Sequence, residues 1–186
     1  MKFYTYNIQE LSNEDYQKYF LMMSPQKQQR VKKLRFEDDK KRTVAGEMLA
    51  RKAIAKFCYI NESAIVFHLN EHGKPFLKGL PCHFNISHSG DLVVLAVNNE
   101  PIGIDVEKVR SVDLAVSTRV FTANEAEQIF SSKKPYETFF MLWTEKESIL
   151  KCIGTGFSHN KNYTKSDFET IQFKIQEYFI SIATKK

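Results

Sequence analysis

The run IGIDVEK, Ile102 to Lys108, alternates aliphatic residues with Gly103, Asp105 and Glu107. Alternation of period two predicts a strand with both acids on one face and Ile102, Ile104 and Val106 on the other. Two carboxylates on one strand face repel and raise each other's pKa unless a positive charge lies between them. Alternatively, this is an edge strand whose outer face is simply wet. In FFMLWTEKESILKCIG, Phe139 to Gly154, residues Trp143, Glu147 and Lys151 recur every fourth position and so line one helix face. The plain reading of Glu147 and Lys151 is a surface ion pair worth about 0.3–0.5 kcal/mol. Dense aromatics upstream argue instead for a buried helix, where a carboxylate needs a partner charge or a metal. FNISHSG, Phe84 to Gly90, reads as a strand entering a Ser/Gly turn with His88 at its tip, which suits either an anion or a polar loop. Lys27, Arg30, Lys32, Lys33, Arg35, Lys40, Lys41 and Arg42 are the densest cations of the chain. They form a solvated helix face or a site for a multiply phosphorylated ligand.

The elements that must carry these residues follow from local signals. Phe3–Ile8 reads as a strand, and Ser12 starts a helix with Tyr16, Tyr19, Phe20 and Met23 as its apolar face. Ser24-Pro25 is a second helix start. Residues 26–57 read as helical in two pieces, the later one with Val44, Met48, Leu49, Ala53, Ile54 and Phe57 as its buried stripe. Strands are predicted at 65–69, 83–87, 92–97, 102–106, 170–175 and 178–183, with a turn at His72-Gly73-Lys74-Pro75. A short helix is predicted at 113–120. Thr122 to Glu125 is a capping box opening the next helix, and 136–153 is a long helix stopped by Gly154. Helices then strands, twice over, predict an α+β fold of two halves.

The 186 residues allow one domain or two small, closely packed ones. Fifteen Phe and eight Tyr place the chain among globular proteins. No apolar run approaches the roughly 20 residues of a membrane span. Residues 1–10 lack the apolar centre of a signal peptide, so a cytoplasmic protein is expected. Cys58, Cys82 and Cys152 form neither a disulfide framework nor a zinc pattern. A net charge of +5 suits an anionic partner without implying nucleic acid.

Taken together, SPQKQQRVKKLRFEDDKKRTVAGEMLAR, HGKP, FNISHSG, PIGIDVEKV, FTANEAE and WTEKESILK resemble the Sfp-type 4′-phosphopantetheinyl transferases, in order, from about Ser24 to Lys151. The resemblance implies transfer of 4′-phosphopantetheine from coenzyme A to a serine of an apo acyl or peptidyl carrier protein, with Mg²⁺. It implies a pseudo-dimer of two similar α+β halves, 1–103 and 104–186, with the site in the cleft between them, in a monomer. By resemblance Asp105, Glu107 and Glu147 hold the metal, and Gly103 leaves room for the pyrophosphate. Lys151 and His88 reach the pyrophosphate. Lys27, Arg30, Thr43 and His88 hold the 3′-phosphate end, Lys74 and Ser87 the nucleotide side, and Glu125 is the base for the carrier serine, with Glu147 or a metal-bound water as alternatives.

Three departures stand out. Val106 occupies a position where some relatives supply a third oxygen ligand, Arg30 replaces a Lys, and the part after Gly154 is short, so that a strand or hairpin is expected to be missing. Two other functions remain in play: a Mg²⁺-dependent hydrolase of pyrophosphate bonds using the same acids, and a basic module binding nucleic acid through 27–42.

Overall fold

The computed structural model describes residues 1–154 and 163–186. The first half runs β1 (Lys2–Asn7), α1 (Asn13–Leu21), α2 (Pro25–Lys33), α3 (Glu37–Cys58), β2 (Phe67–Leu69), β3 (Pro75–Leu77), β4 (His83–Ser89) and β5 (Leu92–Asn98). The second runs β6 (Ile102–Lys108), α4 (Ser117–Val120), α5 (Ala123–Ser131), α6 (Pro135–Ile153), β7 (Phe168–Ile175) and β8 (Tyr178–Lys185). The division expected after Gly103 falls inside β6, past its second residue.

Each half builds a three-stranded antiparallel sheet, in the orders β1-β5-β4 and β6-β8-β7. The topology repeats: the first strand of the half, then its last, then its penultimate. β7 and β8 are the strands expected at 170–175 and 178–183, and both sheets have the same strand count. The β2–β3 hairpin is a small separate ladder.

β5 is a continuous apolar run because both its faces are covered. Val93, Leu95 and Val97 pack with Ala45, Leu49, Ala53 and Ile54 of α3. Val94 and Ala96 pack with Ile102, Ile104 and Val106 of β6 and with Ile180 and Ile182 of β8. The stripe predicted on α3 divides between two cores, since Val44 and Met48 join Tyr19, Met23 and Val31 beneath α1 and α2. Ser24 caps α2 by accepting from the Lys27 amide at 3.3 Å, as its sequence position foretold.

The edge strands β4 and β6 meet from different sheets, and side chains stitch them together. Alternate residues of β4 share one face. Asn85 Oδ1 accepts from the Ile104 amide at 2.9 Å, Ser87 Oγ donates to Asp105 Oδ1 at 2.7 Å, and Ser89 Oγ donates to Glu107 Oε2 at 2.9 Å. The wet outer face considered for β6 is thus not found: Asp105 is buried and Glu107 half-buried.

Gly103 needs its missing side chain for a reason other than the expected one. A Cβ there would lie 1.9 Å from Ser148 O and 2.4 Å from Cys152 N. The space beside Gly103 is filled by the backbone of α6, so it leaves no room for a pyrophosphate. The glycine allows α6 to sit directly on β6, which sets the height of Glu147 and Lys151 above Asp105.

Candidate active site

Ser87 and His88 from β4, Asp105 and Glu107 from β6, and Trp143, Glu147 and Lys151 from α6 line one cavity of about 360 Å³. The helix spacing of four and the strand spacing of two both hold. Lys151 Nζ lies 2.6 Å from Asp105 Oδ1 and donates to Ser87 Oγ at 2.9 Å. The pair read from sequence as Glu147–Lys151 is therefore Asp105–Lys151. Glu107 instead meets Arg110 at 3.0 Å.

Asp105 Oδ2 and Glu147 Oε1 are buried and find no hydrogen-bond partner among the described residues. Burial, and then the Asp105 charge, push the Glu147 carboxyl up to about 7. Burial also raises Asp105, against the pull of Lys151. Lys151 engages only Asp105 Oδ1, so one oxygen of each carboxylate is left for a further positive charge. Their hard oxygen chemistry fits a small divalent cation such as Mg²⁺. Among the described residues no three His, Cys, Asp or Glu side chains are already arranged around such an ion, as Glu107 is turned towards Ser89 and Arg110.

His88 lies within the β4 ladder opposite Val93, not at the tip of the turn, which is Gly90-Asp91. Its backbone is thus committed to the sheet, and only its side chain faces the cavity. Burial, Arg42 and Lys151 hold the imidazole below its ordinary 6.5, so it is neutral at pH 7.

A second cavity of about 570 Å³ contains Lys27 and Arg30, with Gly73, Pro75 and Ile86 among its walls. It shares Ile86 with the first cavity. A third, of about 260 Å³, shares Gly73 and Pro75 with the second and Glu147 and Lys151 with the first. The first and third cavities are lined by residues of both halves, the second by the first half alone. Lys27 Nζ bonds Glu47 Oε2 at 2.7 Å, while the other oxygen of Glu47 accepts from Arg51 Nε at 2.7 Å. Buried Glu47 and Arg51 were not singled out from sequence, although a charged pair four apart inside an apolar helix stripe was the available signal.

Thr43 Oγ1 donates to the Asp39 carbonyl at 2.8 Å, one turn back in α3. Lys74 Nζ donates to the Lys151 carbonyl. Glu125 closes the capping box with Thr122, accepting from its amide at 3.0 Å, and lies 4.0 Å from Lys165. It stands apart from the three-acid cavity lining, yet Glu125, Glu145 and Glu147 all act on Tyr163, whose phenol is raised chiefly by burial.

Paired acids, a half-buried lysine and a neighbouring cavity lined by Lys27 and Arg30 are the features of an enzyme site. Comparison with known proteins sharpens this. A family model described as 4′-phosphopantetheinyl transferase, N-terminal, matches residues 10–100, and that of the 4′-phosphopantetheinyl transferase superfamily matches residues 101–184. The chain is 36% identical over 162 residues to the 4′-phosphopantetheinyl transferase Sfp of Bacillus subtilis (strain 168), covering 85% of this chain and 72% of that one. It is 35% identical over 166 residues to the transferase psf-1 of Bacillus pumilus, with coverage of 86% and 71%. It is also 30% identical over 174 residues to the L-aminoadipate-semialdehyde dehydrogenase-phosphopantetheinyl transferase of Xenopus laevis, with coverage of 84% and 58%. The chain belongs to the Sfp-type 4′-phosphopantetheinyl transferase family and is a transferase of that kind.

Proposed function

We propose that the protein moves 4′-phosphopantetheine from coenzyme A to a serine of an apo acyl or peptidyl carrier protein and releases adenosine 3′,5′-bisphosphate. The observation that carries this reading is the convergence of Asp105, Glu107, Glu147 and Lys151 on one cavity, which shares the wall residue Ile86 with the cavity lined by Lys27 and Arg30. The repeated sheet topology supports a pseudo-dimer of two halves with the first and third cavities in its cleft. Because one chain supplies both walls, a monomer is sufficient.

In the reaction the carrier serine Oγ forms a bond to the phosphorus on the pantetheine side of the pyrophosphate. The bond from that phosphorus to the bridging oxygen breaks, and its electron pair leaves with the adenosine bisphosphate. Lys151, fixed by Asp105 and Ser87, presents positive charge to the pyrophosphate. Neutral His88 offers one N–H rather than a charge. Asp105, Glu107 and Glu147 would hold Mg²⁺, with Glu107 leaving Arg110, an exposed pair of little cost. When bound, the cation neutralises and polarises the phosphates. Intact mass of an apo carrier incubated with the protein, coenzyme A and Mg²⁺ tests the reading. The expected result is a carrier heavier by one phosphopantetheinyl group. Cleaved coenzyme A with an unmodified carrier would mean a hydrolase, and no reaction at all would overturn the assignment.

In this reading Lys27, Arg30, Thr43 and His88 hold the 3′-phosphate, each charged hydrogen bond contributing about 1.5–3 kcal/mol. Lys27→Ala and Arg30→Ala should therefore weaken binding of coenzyme A more than that of 3′-dephospho-coenzyme A, as calorimetric titration would report. Equal losses for both ligands would leave the two cations as part of a solvated face.

Glu125 is proposed to take the proton of the carrier serine at the rim of the site. Its carboxylate sits in the first turn of α5, 4.0 Å from Lys165, a position from which a side chain can accept a proton. Glu125→Gln retains a capping side chain, so thermal stability and coenzyme A affinity should hold while turnover drops on the order of 10²-fold. An unchanged turnover would leave Glu125 with capping alone and pass the proton to Glu147 or to water.

A further inference from the structure

The C-terminal end of α6 is held by the β2–β3 hairpin, which belongs to the other half of the chain. Lys74 Nζ donates to the Lys151 carbonyl at 2.5 Å, and Asn70 Nδ2 donates to the Gly154 carbonyl at 3.3 Å. Carbonyls of a last helical turn have no partner within the helix and carry its negative dipole end, so a cation and an amide donor are the groups that suit them. The hairpin turn is built to deliver both. Asn70 Oδ1 accepts from the amides of His72 and Lys74 at 3.0 and 2.8 Å. Gly73 takes the left-handed conformation that the turn needs, at φ 78°. Lys74 also packs against Gly154, where a Cβ would stand 3.4 Å from Lys74 Cδ.

We infer that Asn70 and Lys74 are positioning residues of the transfer reaction: they clasp the last turn of α6 and so fix the height at which Lys151 meets Asp105. The residue whose carbonyl Lys74 grips is the one whose side chain bonds Asp105 and Ser87. A shift of this turn moves the ammonium group that faces the cavity, and displacement of about 1 Å in a positioned group costs up to 10²-fold in rate. Burial holds the Lys74 ammonium below its ordinary pKa, in keeping with an internal clasp. The clasp stands beside the nucleotide-side role that resemblance implied for Lys74, and its kinetic part rests on the transferase reading proposed above.

The experiment uses the full chain with Asn70→Ala, Lys74→Gln, Lys74→Arg and the double variant Asn70→Ala/Lys74→Gln. Transfer to an apo carrier gives kcat and the KM for coenzyme A, and hydrogen exchange reports the amides of 150–154. Lys74→Gln is expected to lower kcat about tenfold, and Asn70→Ala, outside the coenzyme A contacts named above, to lower it less with KM changed less than about twofold. Lys74→Arg should recover most of the loss, and the double variant should lose less than the product of the singles. Exchange at 150–154 should quicken by about tenfold in Lys74→Gln, the factor expected from one lost hydrogen bond to a charged group. A raised KM with intact kcat in Asn70→Ala would show a ligand contact and overturn the clasp, as would unchanged exchange at 150–154. If the wild-type chain transfers nothing, the transferase reading fails on its own, and the exchange data still decide whether the hairpin holds the helix.

Discussion

Asp105→Ala, Glu107→Ala and Glu147→Ala are each expected to abolish transfer, by at least the 10²–10³-fold that loss of one preorganised electrostatic group typically costs. Each should also erase the thermal stabilisation expected of the wild-type protein on addition of Mg²⁺, a readout that does not depend on turnover. A variant that kept both its rate and its Mg²⁺ shift would remove that residue from the metal site. Glu147 carries a further signature. Its folded-state pKa is raised from 4.5 to about 7, so the metal-free fold binds its proton more tightly than the unfolded chain does. The sign follows: this group costs stability progressively as pH rises from about 4.5 to 7, and the full cost is present above 7. Glu147→Gln should thus raise the Tm of the metal-free protein at pH 8, and the gain should vanish at pH 4. A gain independent of pH would mean that the carboxylate is not strained in the fold.

The second large effect is structural. Gly103→Ala places a methyl group 1.9 Å from the Ser148 carbonyl, which is backbone and cannot rotate away. α6 must lift off β6, and overpacking of this kind costs about 3 kcal/mol or more. For a chain of this size that lowers Tm by roughly 6–12 °C. Transfer should fall as well, because the lifted helix carries Glu147 and Lys151 away from Asp105. A Tm within about 2 °C of wild type, by calorimetry, would show that the helix moves easily and that Gly103 does not set its height.

The residues that line the candidate site were legible in the sequence, because strand and helix periods are local properties of the backbone. Alternation along 102–108 was enough to put Asp105 and Glu107 on one face, and a spacing of four put Trp143, Glu147 and Lys151 on another. The caps at Ser24 and Thr122 and the stop at Gly154 were equally legible, since each is a contact between residues three or four apart. What periodicity does not contain is the partner of each face. Lys151 pairs with Asp105, 46 positions away, and not with Glu147 on its own helix. Glu107 turns to Arg110, and buried Glu47 divides its oxygens between Lys27 and Arg51.

The reason for Gly103 likewise depends on α6, which the chain reaches only after two intervening helices. The tip of the β4–β5 turn fell at Gly90-Asp91 because pairing with β5 extends β4 through His88 and Ser89, an outcome that depends on register rather than on the FNISHSG run itself. The sequence by itself determined which residue types share a face and where the helices begin and end. Only the tertiary structure decided which charges meet and which two carboxylate oxygens remain without a partner among the described residues. Those depend on long-range packing of β4, β6 and α6, whose energies are set by burial and not by spacing along the chain.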